Sequence, residues 1–310
     1  MTEPSNEPRS EDGPGAHRER SPLTRRLGAE FLGAFLFVAL VSGAACALLL
    51  AEARRLASIE GFGVVAGPQI DFFESMLATS NADLVTVALA AVAALAVIVP
   101  AFGRLSGGHF NPAVTVALAA GHRFGWNEVA PYVAAQCLGG VAGGFLIAAL
   151  FGVDGVALGS AGVLLGAPVL AGGVSQSQAL AAEATVAFVW MIAILSLQFR
   201  SAGNTPAPWS GALVGVAVGG ALLVAAPLTG GSANFARSLG PLIASLPFDA
   251  GSIPWGDLLL YAAGPLGGAL AAIFTFDAIT ARKRPRRERR SENVDEPEQT
   301  FIVGTTDKSK

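Results

Sequence analysis

Ser106-Gly107-Gly108-His109-Phe110-Asn111-Pro112-Ala113-Val114-Thr115 is the stretch whose reading decides the fold. It follows the apolar run 88–99 and opens a second apolar run, 113–120, which is too short to cross a bilayer. Pro112 suits the first position of a helix, where its missing N–H would have no partner in any case, and Asn111 before it is a favoured N-cap. The pattern predicts a short helix that begins at membrane depth. Irregular backbone at that depth is tolerated only where it is buried in protein or lines a wet cavity, and the helix start brings free N–H groups and partial positive charge there. Gly230-Gly231-Ser232-Ala233-Asn234-Phe235-Ala236-Arg237-Ser238 repeats the arrangement 123 residues further on, from Asn111 to Asn234.

The surrounding composition agrees with a membrane setting. It is 52% apolar and 14% charged, with a mean hydropathy of +0.55, which places the chain among polytopic membrane proteins with the lipid bilayer as solvent. The net charge of −3 carries no message about partners, because the charges gather at the two ends and in the loops, and no nucleic-acid partner is expected. Cys46 and Cys137 lie inside apolar runs and read as small core residues rather than a disulfide. His17, His109 and His122 make no metal-ligand cluster, and there is neither a nucleophile with its base nor a phosphate-cradling loop. No enzyme activity, cofactor or metal is therefore expected. Residues 1–22 are polar, with no apolar core of the kind a secretory signal needs.

Taken in order, residues 1–23 read as a disordered cytoplasmic tail and 24–281 as the membrane domain, with repeats at about 24–150 and 179–281. Residues 282–310 read as a basic, disordered cytoplasmic tail. The expected spans are about 27–51, 84–101, 128–150, 179–199, 209–226 and 258–281, with half-helices at 112–121 and 235–245. Residues 52–83, with five acids and two bases, form a long outer connection. Residues 151–178 form a glycine-rich outer loop, within which 163–174 is apolar enough to mimic a partial span. Ala182-Glu183-Ala184-Thr185-Val186-Ala187-Phe188 echoes Ala29-Glu30-Phe31-Leu32-Gly33-Ala34-Phe35, a second sign of duplication. Each motif carries an acid in an otherwise apolar helix, where it is costly unless it faces the bundle interior. Arg25 and Arg26 before the first span, and the seven bases among residues 282–290 after the last, put both termini on the cytoplasmic side. The basic run is also of a kind that binds anionic lipid headgroups. A unit with three spans must be inverted in its second copy. The fold class is thus an all-α membrane protein with six transmembrane helices plus two re-entrant half-helices in an inverted repeat, its functional site near the midplane. Glycines four apart, at 139 and 143, 140 and 144, 211, 215 and 219, and 264 and 268, predict close helix crossings.

If Asn111 and Asn234 cap half-helices from opposite sides, their amides aim donors at one mid-membrane spot and each helix adds about half a positive charge. A cation there meets repulsion, whereas a neutral acceptor of hydrogen bonds does not. The carbonyls leading into each asparagine would offer such a molecule further partners. Arg237, one turn after Asn234, is the only base between Arg200 and Arg282, and a charge in that setting is a functional candidate.

Asn111-Pro112-Ala113 and the variant Asn234-Phe235-Ala236 resemble the paired Asn-Pro-Ala boxes of the aquaporin and glycerol-facilitator family, over roughly residues 24–281. The resemblance implies a homotetramer with one pore per subunit, passing water or small neutral solutes and excluding ions and protons. It makes Arg237 the arginine of the outer constriction, and by family spacing it puts Ala91, Leu222 and Gly231 at the other three positions. Water-selective members carry an aromatic and a histidine at the first two. Small and aliphatic residues there resemble the wide filters associated with urea, glycerol and metalloid hydroxides. Glu30 and Glu183 resemble the family's buried acids, which accept from the loop backbone ahead of each half-helix. Two departures stand out. Ser238 replaces the acid that glycerol facilitators often carry, and Phe235 replaces the box proline, so its ring either packs on Pro112 or obstructs the lumen. The competing readings are a water-selective aquaporin, an ion-coupled secondary transporter and a non-conducting structural relative.

Overall fold

The computed structural model describes residues 21–57, 81–156, 164–197, 208–248 and 253–280. Most of the tail expected at 1–23, all of that expected at 282–310 and most of the connection expected at 52–83 lie outside the described residues. Six helices are long and apolar enough to cross a membrane: α1 (Leu23–Ala57), α2 (Asn81–Ser106), α4 (Trp126–Phe151), α5 (Gln176–Leu197), α6 (Ser210–Thr229) and α8 (Leu258–Thr280). Two are too short: α3 (Pro112–Ala120), between α2 and α4, and α7 (Phe235–Ser245), between α6 and α8. Residues up to Ile279 form one compact unit, all-helical among the described residues.

The halves are built by the same contacts. α1 crosses α4 where a Cβ on Gly139 would land on the carbonyl oxygen of Phe31, and α5 crosses α8 where one on Gly268 would land on that of Ala184. α2 and α6 meet along Gly211, Gly215 and Gly219, where Cβ atoms would come 2.5, 2.8 and 3.0 Å from the carbonyls of Leu95, Val92 and Ala88. α4 is pressed on the re-entrant α7 as well, with a Cβ at Gly144 falling 2.5 Å from the Gly240 carbonyl. Lipid-embedded helices gain little from excluding water, so close backbone approach and dispersion hold them together, and only glycine permits it. Outward from these seams, Leu89, Val97, Leu138, Leu150, Val224 and Leu259 are exposed, as suits side chains that face acyl tails.

Two helix ends differ from the sequence reading. α1 runs on past residue 51 into the polar connection, because a helix needs no apolar residues once clear of lipid. α2 runs to Ser106, so the first residue of the deciding stretch is helical and exposed Arg104 sits in its last turn. Within the loop expected at 151–178, Leu164, Leu165 and Gly166 are buried and turn with φ of 41°, 56° and 72°, Gly166 directly against the Ser42 carbonyl, while Val169, Gly172 and Gly173 are exposed. That segment then straps across to the second half, where Ala171 N–H donates to Leu228 O at 3.0 Å. Cys46 and Cys137 are free, Cys46 buried, as core residues would be.

Candidate functional site

Each half-helix begins as the sequence requires. Asn111 is extended (φ −151°, ψ 122°) and its Oδ1 accepts from Ala113 N–H at 2.9 Å, and Asn234 (φ −152°, ψ 112°) accepts from Ala236 N–H at 3.0 Å. The residues before them hold left-handed backbone, Phe110 at φ 49° and Ala233 at φ 51°, preceded by Gly107 and Gly108, and by Gly230 and Gly231, all at positive φ. That conformation is costly for a residue with a side chain and persists only where its surroundings impose it.

Two buried carboxylates impose it. Glu30 accepts from the N–H groups of His109 (3.0 Å) and Phe110 (2.7 Å), from Ser106 Oγ (2.5 Å) and from Gln136 Nε2 (2.7 Å). Glu183 accepts from the N–H groups of Ser232 (3.0 Å) and Ala233 (2.6 Å) and from Thr229 Oγ1 (2.6 Å). Both acids are fully buried and touch irregular backbone whose amides have no helix to satisfy them, so this is scaffolding.

The two asparagines meet at the centre in a way the sequence left open. Asn111 Nδ2 donates to Ala233 O at 2.7 Å and Asn234 Nδ2 to Phe110 O at 2.9 Å. Each amide therefore spends one N–H on the other half's loop and keeps the second. The last carbonyl of each segment, expected to be left for a passing molecule, is already engaged by the opposite asparagine. Pro112 and Phe235 are the first residues of α3 and α7, with Pro112 and Ala113 buried, Ala236 buried and Phe235 half-buried.

Arg237 is 1% exposed. Its Nη2 reaches Gly230 O at 3.5 Å, while Nε and Nη1 are buried with no partner among the described residues. Gly231 lies against Leu222, whose Cδ2 would be 2.7 Å from a Cβ there, and Ala91 shares one buried apolar cluster with Leu222. Gly231 thus touches Leu222, Arg237 reaches the carbonyl of Gly230 beside it, and Ala91 is buried on α2. Among the described residues no cluster of histidine, cysteine and acids has metal-binding spacing.

Several members of the site escaped the sequence reading. Tyr132 Oη donates to Ser106 O at 2.9 Å and Tyr261 Oη to Thr229 O at 2.7 Å. These are the chain's only two tyrosines, and that pairing was the signal available. Gln136 bridges Glu30 and Thr115, its Nε2 donating to Thr115 Oγ1 at 2.8 Å, and His109 Nδ1 lies 3.1 Å from the same hydroxyl. In the second half Ser232 Oγ and Ser238 Oγ make the equivalent contact at 2.5 Å.

Six membrane-crossing helices around two half-helices that touch cap to cap define a polytopic channel of the two-box class. The family model for major intrinsic proteins matches residues 18–276. An aquaporin of Methanothermobacter marburgensis is 32% identical over 259 residues, 84% of this chain and 98% of that protein. The maize aquaporin NIP3-1 is 32% identical over 276 residues, 86% and 75% of the two chains. A glycerol uptake facilitator-like protein of Lactiplantibacillus plantarum is 34% identical over 195 residues, 63% and 85%. The crystal structure of the Plasmodium falciparum aquaglyceroporin shares the fold, with a TM-score of 0.62 over 83% of this chain and 97% of that one at 19% identity. The chain belongs to the major intrinsic protein family and is a multi-pass membrane channel for water or small solutes.

Proposed function

We propose that the channel passes water and small uncharged solutes, among them glycerol, urea and metalloid hydroxides such as boric acid, and holds back ions and protons. The observation that carries this reading is Arg237, buried with Nε and Nη1 unpartnered among the described residues, together with the small or aliphatic residues that family spacing assigns to the same constriction at 91, 222 and 231. A buried guanidinium needs acceptors. A neutral hydroxylated molecule supplies them, and neither an aromatic ring nor an imidazole stands at 91, 222 or 231. Cations meet that charge first and then the starts of α3 and α7, each with about half a positive charge, so repulsion adds to lost hydration. The names of two relatives, an aquaporin and a glycerol uptake facilitator-like protein, agree with solutes of this kind. The same reading places the protein in the cell membrane as a homotetramer, with both termini cytoplasmic and the tails outside a membrane domain at 24–281.

Liposomes holding the purified chain, shrunk osmotically in glycerol, urea, boric acid or sucrose, test it. Re-swelling in the first three and not in sucrose is expected, together with no dissipation of an imposed pH gradient. Shrinkage without re-swelling in all four would remove the solute reading. Ala91→Phe with Leu222→His should lower glycerol entry by about tenfold or more while water flux persists, since a filled cross-section rejects the larger molecule first.

A further inference from the structure

Arg26, in the first turn of α1, is 8% exposed and forks onto Glu128 in the first turn of α4, Nη1 to Oε2 at 2.5 Å and Nη2 to Oε1 at 2.7 Å. The pair puts the starts of α1 and α4 at one membrane face. Nη1 also reaches Tyr132 Oη at 3.4 Å, and the guanidinium carbon stands 5.9 Å from the centre of the Tyr132 ring. From Tyr132 the chain of contacts continues inward: its hydroxyl holds the Ser106 carbonyl, Ser106 Oγ donates to Glu30, and Glu30 holds the amides of His109 and Phe110 just before Asn111. The Tyr132 ring also packs on Phe124 and His109, with centroids at 4.7 and 5.4 Å, and Phe124 meets His109 edge-on at 4.8 Å. His109 is itself buried but lies next to exposed Gly107, where a Cβ would come 3.1 Å from its Nε2.

The second half keeps the tyrosine and omits the clamp. Four residues before Glu183 stands Ala179, where Arg26 stands four before Glu30. Four after Tyr261 stands Pro265, where Gln136 stands four after Tyr132. Since among the described residues Tyr261 and Thr229 hold the second segment without an ion pair, holding a half-helix does not require one. What the first half has in addition is the His109–Phe124–Tyr132 ring cluster at its mouth.

We propose that Tyr132, clamped by the Arg26–Glu128 pair, is the positioning residue of this mouth: it fixes the Ser106 carbonyl and the His109 ring and so governs how fast molecules pass, not which ones. The proposal rests on the channel reading but not on the choice of solute, because water flux alone reads it. Tyr132→Phe keeps the ring and removes the donor. Water permeability per inserted protein should fall roughly tenfold, the scale of one buried hydrogen bond lost, with the glycerol-to-water ratio unchanged. Glu128→Gln should fall similarly and combine with Tyr132→Phe less than additively. The exchanged pair Arg26→Glu with Glu128→Arg should recover most of the flux. Tyr261→Phe serves as the mirror variant: its hydroxyl holds the carbonyl next to Gly230, on which Arg237 leans, so it should move the glycerol-to-water ratio. Wild-type flux per inserted protein in both Tyr132→Phe and Glu128→Gln overturns the proposal, as does a ratio that shifts in Tyr132→Phe as much as in Tyr261→Phe. A wild-type protein that passes no water would instead defeat the channel reading.

Discussion

Glu30 accepts four hydrogen bonds and Glu183 three, and the difference is one glutamine. Around the two acids nearly everything else is matched: a hydroxyl from the residue five before each asparagine, two loop amides, a tyrosine on the carbonyl behind, and a glycine crossing at the same place on the neighbouring helix. The first half adds Gln136, the Arg26–Glu128 pair, and an ion pair from Arg123, in the turn after α3, to Asp277 at the end of α8. In the second half, by contrast, a charge is buried with two nitrogens unpartnered, and the box residue after asparagine is phenylalanine. The comparison teaches that the matched parts build the frame and the unmatched parts specialise it. The first half is tied by ion pairs, with only the neutral Ser42 Oγ and Gln136 Oε1 left without a partner, whereas the second leaves two nitrogens of a charged guanidinium without one among the described residues.

The largest expected effect follows from the frame. Glu30→Ala and Glu183→Ala each strand several buried donors, at about 1–3 kcal/mol apiece. Both should lower the unfolding temperature in detergent sharply and reduce the protein recovered from membranes, Glu30→Ala the more because four donors are stranded rather than three. Equal losses would show that Gln136 finds another partner. Next come the matched crossings. Gly139→Ala and Gly268→Ala each force a methyl onto a backbone carbonyl, and overpacking of that kind costs roughly 1–3 kcal/mol. The two melting points should drop by similar amounts, and a large inequality would break the claim that the halves are framed alike. The smallest effect concerns Phe235. The asparagine caps and their crossed hydrogen bonds are complete without a second proline. Phe235→Pro should therefore leave the order of solutes unchanged and raise stability by about 0.4–1 kcal/mol through the unfolded chain, read by thermal unfolding. A change in flux with that substitution would mean that the half-buried ring limits the lumen.

How much could be read beforehand depended on whether a feature was local. The half-helix at 235–245 and the start of that at 112 were legible because an N-cap asparagine and a short apolar run are nearest-neighbour signals. The glycine seams were legible from spacing alone, although spacing did not say that Gly139 would meet α1 and Gly144 would meet α7. In the loop at 164–171, apolar content did not say what its buried residues would pack against, and Gly166 meets Ser42 while Pro168 meets the turn at Gly230. Tyr132, Tyr261 and Gln136 went unread because each acts on a residue 26 or more positions away and nothing beside it in sequence marks that partner.

The sequence by itself determined the membrane setting, the duplication and the two broken helices, since hydropathy, repetition and capping are properties of residues and their immediate neighbours. Only the tertiary structure decided that each asparagine gives one N–H to the opposite loop and that, among the described residues, Arg237 keeps two nitrogens free and one half carries an ion-pair clamp its twin lacks. Those facts depend on which groups from distant parts of the chain come within 3 Å of one another in a medium without water to replace them. Distances of that kind are set by packing rather than by any local preference.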